Sequence, residues 1–199
     1  MSARQDRASS RLSDDGPSGS KDDIVAFLPA MRAFAISLTQ NVALADDLVQ
    51  DAVLKAWANF DKFEPGTNLR AWLFTIVRNT FYSNARKTRR EASDPDGYLT
   101  ESLYDKPRQD GHLAMNDFLS AFRQLTPVHR EVLMLVGALG FSYEEAAEMT
   151  GVAVGTVKSR TNRARQHLCE LLGLAEGEEL VGTDAATVAV MSKSTVRAA

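Results

Sequence analysis

Residues 141–172 read FSYEEAAEMTGVAVGTVKSRTNRARQHLCELL. Ser142 and Glu145 form a capping box, in which the serine hydroxyl accepts from the Glu145 amide and the glutamate reaches back to the Ser142 amide. A helix therefore begins at Tyr143, and Thr150-Gly151 cuts it near Met149. A second helix is predicted from about Val154 to Leu172. At about 100° per residue, Val157, Thr161, Ala164, Leu168 and Leu171 fall on one side of it. Gly155, Thr156, Ser159, Asn162, Arg163 and Gln166 fall on the other. Two helices across a short glycine-containing turn, the second strongly basic, describe a helix-turn-helix, which lays its second helix in the major groove of DNA. Arg163 can pair bidentately with a guanine edge, and Asn162 or Gln166 with adenine, while Lys158, Arg160 and Arg165 lie on flanks suited to phosphates. Ala153 or Val154 offers no side-chain oxygen to the first-turn amides, so a phosphate or water must satisfy them. The competing reading is a solvated basic helix in an ordinary bundle.

Charge along the chain supports contact with a polyanion. The formal net charge of the 199 residues is only -3. Yet Pro65 to Arg90 carries six basic residues (Arg70, Arg78, Arg86, Lys87, Arg89, Arg90) and no acid, and Ala153 to His167 carries four and no acid. Between them, Glu91 to Asp110 is acidic on balance. Local field rather than total charge steers binding, so two separate basic surfaces are expected.

Upstream of the helix-turn-helix the periodicity is helical throughout. Ile24, Phe27, Leu28, Met31, Phe34, Ala35 and Leu38 recur at three- and four-residue steps. A second stripe (Leu48, Ala52, Val53, Ala56, Trp57) marks a helix from about Leu44 to Phe60, with Trp57 expected inside. Pro65-Gly66 forces a loop, after which Thr67 or Asn68 can cap a third helix to about Lys87. Its Leu69, Trp72, Leu73, Ile76 and Thr80 point inward, Phe74 points partly outward, and Thr75, Arg78, Asn79, Tyr82 and Arg86 share an outer band. Helix resumes at Asn116 (Phe118, Leu119, Phe122, Leu125). Thr126-Pro127 then opens another helix over Val128 to Leu139, closed by Gly140. Residues 1–21 are too poor in apolar groups to offset ordering entropy and read as a disordered tail. Residues 93–115 read as a flexible acidic linker and 174–199 as a frayed tail. The fold class is all-α: two small helical domains, 22–92 and 116–173.

Several function classes drop out. Apolar runs such as Val132 to Ala138 fall far short of a membrane span, and residues 1–20 lack an apolar leader core, so a cytoplasmic location is expected. A single Cys169 excludes an internal disulfide, and His112, His129 and His167 are too scattered for a metal site. With no P-loop, dinucleotide turn or nucleophile elbow, neither a cofactor nor an enzyme is expected.

Residues 141–147 (FSYEEAA), 154–160 (VGTVKSR) and 162–165 (NRAR) resemble the fourth-region domain of an extracytoplasmic function (ECF) sigma factor. Residues 47–51 (DLVQD) resemble the sigma helix that docks on the β′ clamp helices of RNA polymerase. Residues 63–79 (FEPGTNLRAWLFTIVRN) resemble the loop and helix that open and read the -10 element. The resemblance spans about Asp22 to Gly173. Its wording at 63–68, 81–83 (FYS) and 137–147 (GALGFSYEEAA) is closest to the EcfG group, the general stress response sigma factors of alphaproteobacteria.

The resemblance implies core RNA polymerase as partner, through the β′ clamp helices and the β flap, together with promoter DNA. It also implies an anti-sigma factor of NepR type, relieved by a PhyR-type response regulator. Its implied -35 set is Thr156, Lys158, Ser159, Arg160, Asn162, Arg163, Arg165 and Gln166. The implied -10 set is Lys62, Thr67, Asn68, Arg70, Thr75, Arg78, Asn79, Tyr82 and Arg86, with the loop 62–68 capturing a flipped base at a cost of a few kcal/mol. Asp47, Leu48, Gln50 and Asp51 become the polymerase contact. Thr161 stands where this group more often carries an aliphatic side chain. The alternatives are a free-standing dimeric helix-turn-helix regulator, or a sigma-mimicking adaptor, which would not need two basic blocks.

Overall fold

A computed structural model describes residues 20–91 and 112–174, in seven α-helices with no strand among the described residues. The tail expected before residue 20, the linker up to residue 111 and the tail after residue 174 lie outside them. No described helix is long and apolar enough to cross a membrane.

Helices α1 (Ile24–Thr39) and α2 (Val42–Ala58) form a tight hairpin. Gln40 ends α1 in the left-handed region at φ 56°, and the Asn41 side chain accepts from the Leu44 amide at 3.0 Å to start α2. Ala45, Ala52 and Ala56 are fully buried; such small residues let the α2 backbone approach its neighbours closely. A 3-10 turn (Phe60–Lys62) leads into the loop of Gly66, whose φ of 86° suits only a residue without Cβ. Asn68 then caps α3 (Leu69–Glu91) by accepting from the Ala71 amide at 3.0 Å. Phe60, Phe63 and Trp72 pack as an aromatic cluster beneath this loop, with centroids 5.4 to 6.0 Å apart.

Helix α4 (His112–Gln124) begins a turn before the expected Asn116. Thr126 caps α5 (Pro127–Val132), with Pro127 in the first turn as expected. The helix continues through a π turn over Leu133–Ala138, closed by the Leu139 amide bonding to the Met134 carbonyl at 2.8 Å. The capping box of α6 (Tyr143–Thr150) is complete, at 3.0 Å for Glu145 N–H to Ser142 Oγ and 2.8 Å for the return bond. Ser142→Ala should therefore cost about 1 kcal/mol, measured as the fall in denaturation midpoint at constant m. An unchanged midpoint would show that the box adds nothing to α6. Gly151, left-handed at φ 68°, turns the chain into α7 (Val154–Leu172).

The two helical groups close on each other. α1 packs on α5 and α3 on α6, giving one continuous apolar core. At its centre Phe74 is fully buried, its ring 5.4 Å from Phe34 and 5.6 Å from Phe141. The partly outward Phe74 read from the helix projection is thus corrected: the face it points to is covered by α6 and its preceding loop. Trp57, expected inside, is 52% exposed, because it lies about 100° around α2 from the buried Ala56.

Candidate nucleic-acid interface

Helix α7 leaves exposed the side that the sequence projects outward. Val157, Thr161, Ala164 and Leu168 are buried against α5 and α6, which leaves Gly155, Lys158, Ser159, Asn162, Arg163 and Gln166 exposed and Thr156 and Arg160 half-buried. Thr161 satisfies its hydroxyl on the Val157 carbonyl at 2.9 Å, so it is tolerated in the core. The Ala153 start has no side-chain cap, as expected. Lys158 reaches over the Tyr143 ring at 5.6 Å, which holds this cation beside the helix start. Arg165 departs from the expectation: it is buried rather than on a phosphate flank, since it neighbours Ala164 and Leu168 on the core side. At the base of the helix, burial and the nearby His167, Arg160 and Arg163 push the His129 imidazole down from its ordinary value.

Ahead of α3, Lys62 of the 3-10 turn and Thr67 of the loop are exposed; on α3, Asn79 and Arg86 are exposed and Thr75 is half-buried with its hydroxyl on the Ala71 carbonyl. A cleft of about 370 Å³ opens between Arg78, Asn79, Tyr82, Ala85 and Arg86. Four members of the -10 set are engaged by the second helical group. Arg78 Nε meets Glu131 Oε1 at 2.6 Å, and the Tyr82 hydroxyl donates to Glu131 Oε2 at 3.2 Å. Asn68 Nδ2 donates to Glu145 Oε1 at 2.8 Å, so one carboxylate serves both the capping box and the loop. Arg70 donates to the Leu139 carbonyl and lies 4.6 Å from the Phe141 ring centroid.

Glu131 is 1% exposed. Burial pushes its carboxyl up, against Arg78 and the Tyr82 hydroxyl, which pull it down; Tyr82 itself is pushed up by burial and then by Glu131. Its neighbour Arg130, also buried, donates to the Ser37 carbonyl at 2.6 Å, the Leu38 carbonyl at 3.2 Å and the Leu125 carbonyl. Burial lowers the Arg130 guanidinium to about 10, so it keeps its charge at neutral pH. Neither residue was singled out from the sequence. The available signal was two opposite charges inside the apolar run from Val128 to Leu139, where each needs a partner.

On α2, Asp47, Gln50 and Asp51 are exposed together, but Leu48 is 3% exposed and belongs to the core. Leu48, expected at the polymerase contact, is therefore not on the exposed face of α2. The apolar part of that face is made instead by Leu44, Leu54 and Trp57, each more than half exposed.

Comparison with known proteins places both helical groups in a family. Residues 24–91 match the sigma-70 region 2 family and residues 115–168 the sigma-70 region 4 family. The chain is 53% identical to the ECF RNA polymerase sigma factor EcfG of Rhodopseudomonas palustris over 171 residues, 86% of this chain and 94% of that protein. It is 31% identical to the RNA polymerase sigma factor CarQ of Myxococcus xanthus over 170 residues, covering 82% and 95% of the two chains. Among solved structures it resembles the sigma factor RpoE of Bartonella quintana, crystallised with the anti-sigma factor NepR, with a TM-score of 0.69, 53% identity and coverage of 77% of this chain and 96% of that one. The helix-turn-helix with its outward basic face, the long basic α3 and these likenesses lead to one assignment: the chain belongs to the ECF RNA polymerase sigma factors.

Proposed function

We propose that this chain directs RNA polymerase to the promoters of a general stress response, and that a small NepR-type anti-sigma factor restrains it until a PhyR-type regulator draws that factor away. The 53% identity to EcfG over 86% of the chain carries the reading, with the same identity to an RpoE held by NepR. The domains are taken as 22–92 and 116–173, acting by binding alone, beside polymerase in the cytoplasm. The outer face of α2 (Asp47, Gln50, Asp51, with Leu44, Leu54 and Trp57) docks on core polymerase. The exposed face of α7 reads the -35 element. The loop 62–68 and the outer band of α3 take the -10 element, where an aromatic, an amide and cations suit unstacked bases beside phosphates.

The test is a promoter footprint with and without core polymerase, followed by run-off transcription. Protection at -10 and -35 only with core polymerase supports the assignment. Tight binding of a dimer to a palindrome without polymerase would replace it with the free-standing regulator. Within α7, Arg163→Ala should cost about 1 to 3 kcal/mol of DNA affinity and relax base preference at one position. Lys158→Ala should weaken all sequences about equally and flatten the salt dependence. Loss of affinity in both with no change in preferred -35 sequence would mean that the reading face is wrongly placed.

A further inference from the structure

We propose that, in the absence of polymerase, residues 185–197 of this chain dock on the outer face of α2 around Trp57, Leu54, Asp51 and Asp47, and so compete with core polymerase for it. The inference rests on the assignment of that face to polymerase.

The face combines exposed apolar groups with uncompensated acids. Leu44, Asp47, Asp51, Leu54 and Trp57 follow one another at steps of three and four residues, so they share one side of α2 over about 20 Å. Leu44, Leu54 and Trp57 are each more than half exposed, and neither Asp47 nor Asp51 has an ion-pair partner among the described residues. The ion pair of Arg32 with Asp46 at 2.6 Å marks the register of the α1–α2 hairpin, which brings Val25, 61% exposed, level with Val53. Val25, Leu54 and Trp57 thus gather at one end of the hairpin, and the two carboxylates lie toward the other.

The chain itself carries a segment that complements this face. Residues 185–191 read AATVAVM, six of the seven apolar, and residues 192–199 carry Lys193 and Arg197 with no acid. Along this segment the apolar run comes first, then Lys193, then Arg197. Along α2 from its C-terminal end, Trp57 and Leu54 come first, then Asp51, then Asp47. A segment lying antiparallel to α2 therefore sets apolar against apolar and cation against carboxylate. Burial of apolar area drives such docking, while exposed ion pairs add little energy and fix the register. Residues 1–19 do not qualify, since Met1 and Leu12 are their only large apolar side chains.

Reach permits the contact. Residues 175–187 extend to about 43 Å, against a radius of gyration of about 14 Å for a body of this size. The path is short, because α7 packs on α4, and α4 is tied to the α1–α2 turn by Gln40 Nε2 on the Arg123 carbonyl at 2.6 Å. Tethering gives an effective concentration of about 1 mM, so a segment binding with a Kd of about 0.3 mM is docked in about three molecules of four and lowers the apparent polymerase affinity about fourfold.

The experiment uses the full chain, first without polymerase and then with it. Acrylamide quenching of Trp57 fluorescence reads whether the face is covered; it is taken as the difference between parent and Trp57→Phe, because Trp72 also emits. Val188→Asp together with Val190→Asp puts charge into the apolar run. This variant should raise the quenching constant of Trp57 and tighten core polymerase binding, each about fourfold, as the uncovered fraction rises. Lys193→Glu together with Arg197→Glu should act in the same direction by about twofold, the scale of exposed ion pairs. Equal accessibility of Trp57 in the parent and both variants would overturn the docking. Shielding that fades when the parent is diluted would make the occupant a second copy of the chain, and would overturn the assignment to residues 185–197 as well. Release of Trp57 with polymerase affinity unchanged would overturn the competition. In that case, undiminished recovery of polymerase by Asp47→Arg would place the failure in the polymerase assignment of the face and leave the docking itself standing.

Discussion

Phe74→Ala is expected to lower the stability of the chain by about 3 to 5 kcal/mol, the range for truncating a fully buried aromatic. The ring is 0% exposed and is packed by Phe34 of α1 on one side and Phe141, ahead of α6, on the other. Arg70 adds a cation over its edge at 5.9 Å. Truncation leaves a cavity at the junction of the two helical groups, and the long α3 cannot collapse into it without breaking its contacts with both. Equilibrium denaturation followed by circular dichroism measures the loss. Leu54→Ala is the matched control, since Leu54 is 59% exposed and its truncation should stay within about 0.5 kcal/mol. A loss of less than about 1 kcal/mol for Phe74→Ala would mean that the centre of the structure is not packed as described.

Asp47→Arg should remove core polymerase binding while the fold survives. Asp47 is exposed on α2, and its substitution leaves the Ala45, Leu48, Ala52 and Ala56 face untouched. A cation there reverses the charge at the centre of an acidic and amide surface, flanked by Leu44, Leu54 and Trp57. Breaking a charge match inside an interface costs about 3 kcal/mol, roughly a hundredfold in affinity. Trp57→Ala should act on the same binding by about 2 kcal/mol, as loss of a half-exposed aromatic anchor does, and barely change stability. Pull-down with core polymerase and a parallel thermal melt separate the two effects. Undiminished recovery of polymerase by Asp47→Arg would exclude this face as the docking site.

The readings that held depended on neighbours in sequence. The capping box of Ser142 and Glu145, the Thr126-Pro127 start, the Asn68 cap and the bare Ala153 start each involve groups within four residues. The inner face of α7 follows from the helical period because Val157, Thr161, Ala164 and Leu168 form one stripe against α5 and α6, and only Arg165 at its edge is buried besides. For α2 and α3 the same projection misplaced residues. Trp57 falls on the inner stripe of α2 by projection yet is 52% exposed, whereas Leu48, which the same stripe places inside, lies with Ala45, Ala52 and Ala56 as projected, and only the sigma resemblance adds it to the docking face. Phe74 shares a face of α3 with Val77 and Phe81, and this second apolar stripe is buried because α6 and its preceding loop cover it. Arg165 was read as a phosphate ligand from its charge, although its position places it among Ala164 and Leu168.

The sequence by itself determined that the chain is helical, where the helices of the helix-turn-helix begin and end, and that two blocks of it are basic with no acid. Local hydrogen bonding and the 3.6-residue period suffice for these, and neither needs a distant partner. Only the tertiary structure decided that one of the two basic faces is occupied. The partners Arg78 and Glu131 are separated by 53 positions, Arg130 and Ser37 by 93, and Asn68 and Glu145 by 77. Buried charges must find opposite charges or carbonyls wherever the packing brings them, and no local pattern says which helix will supply them.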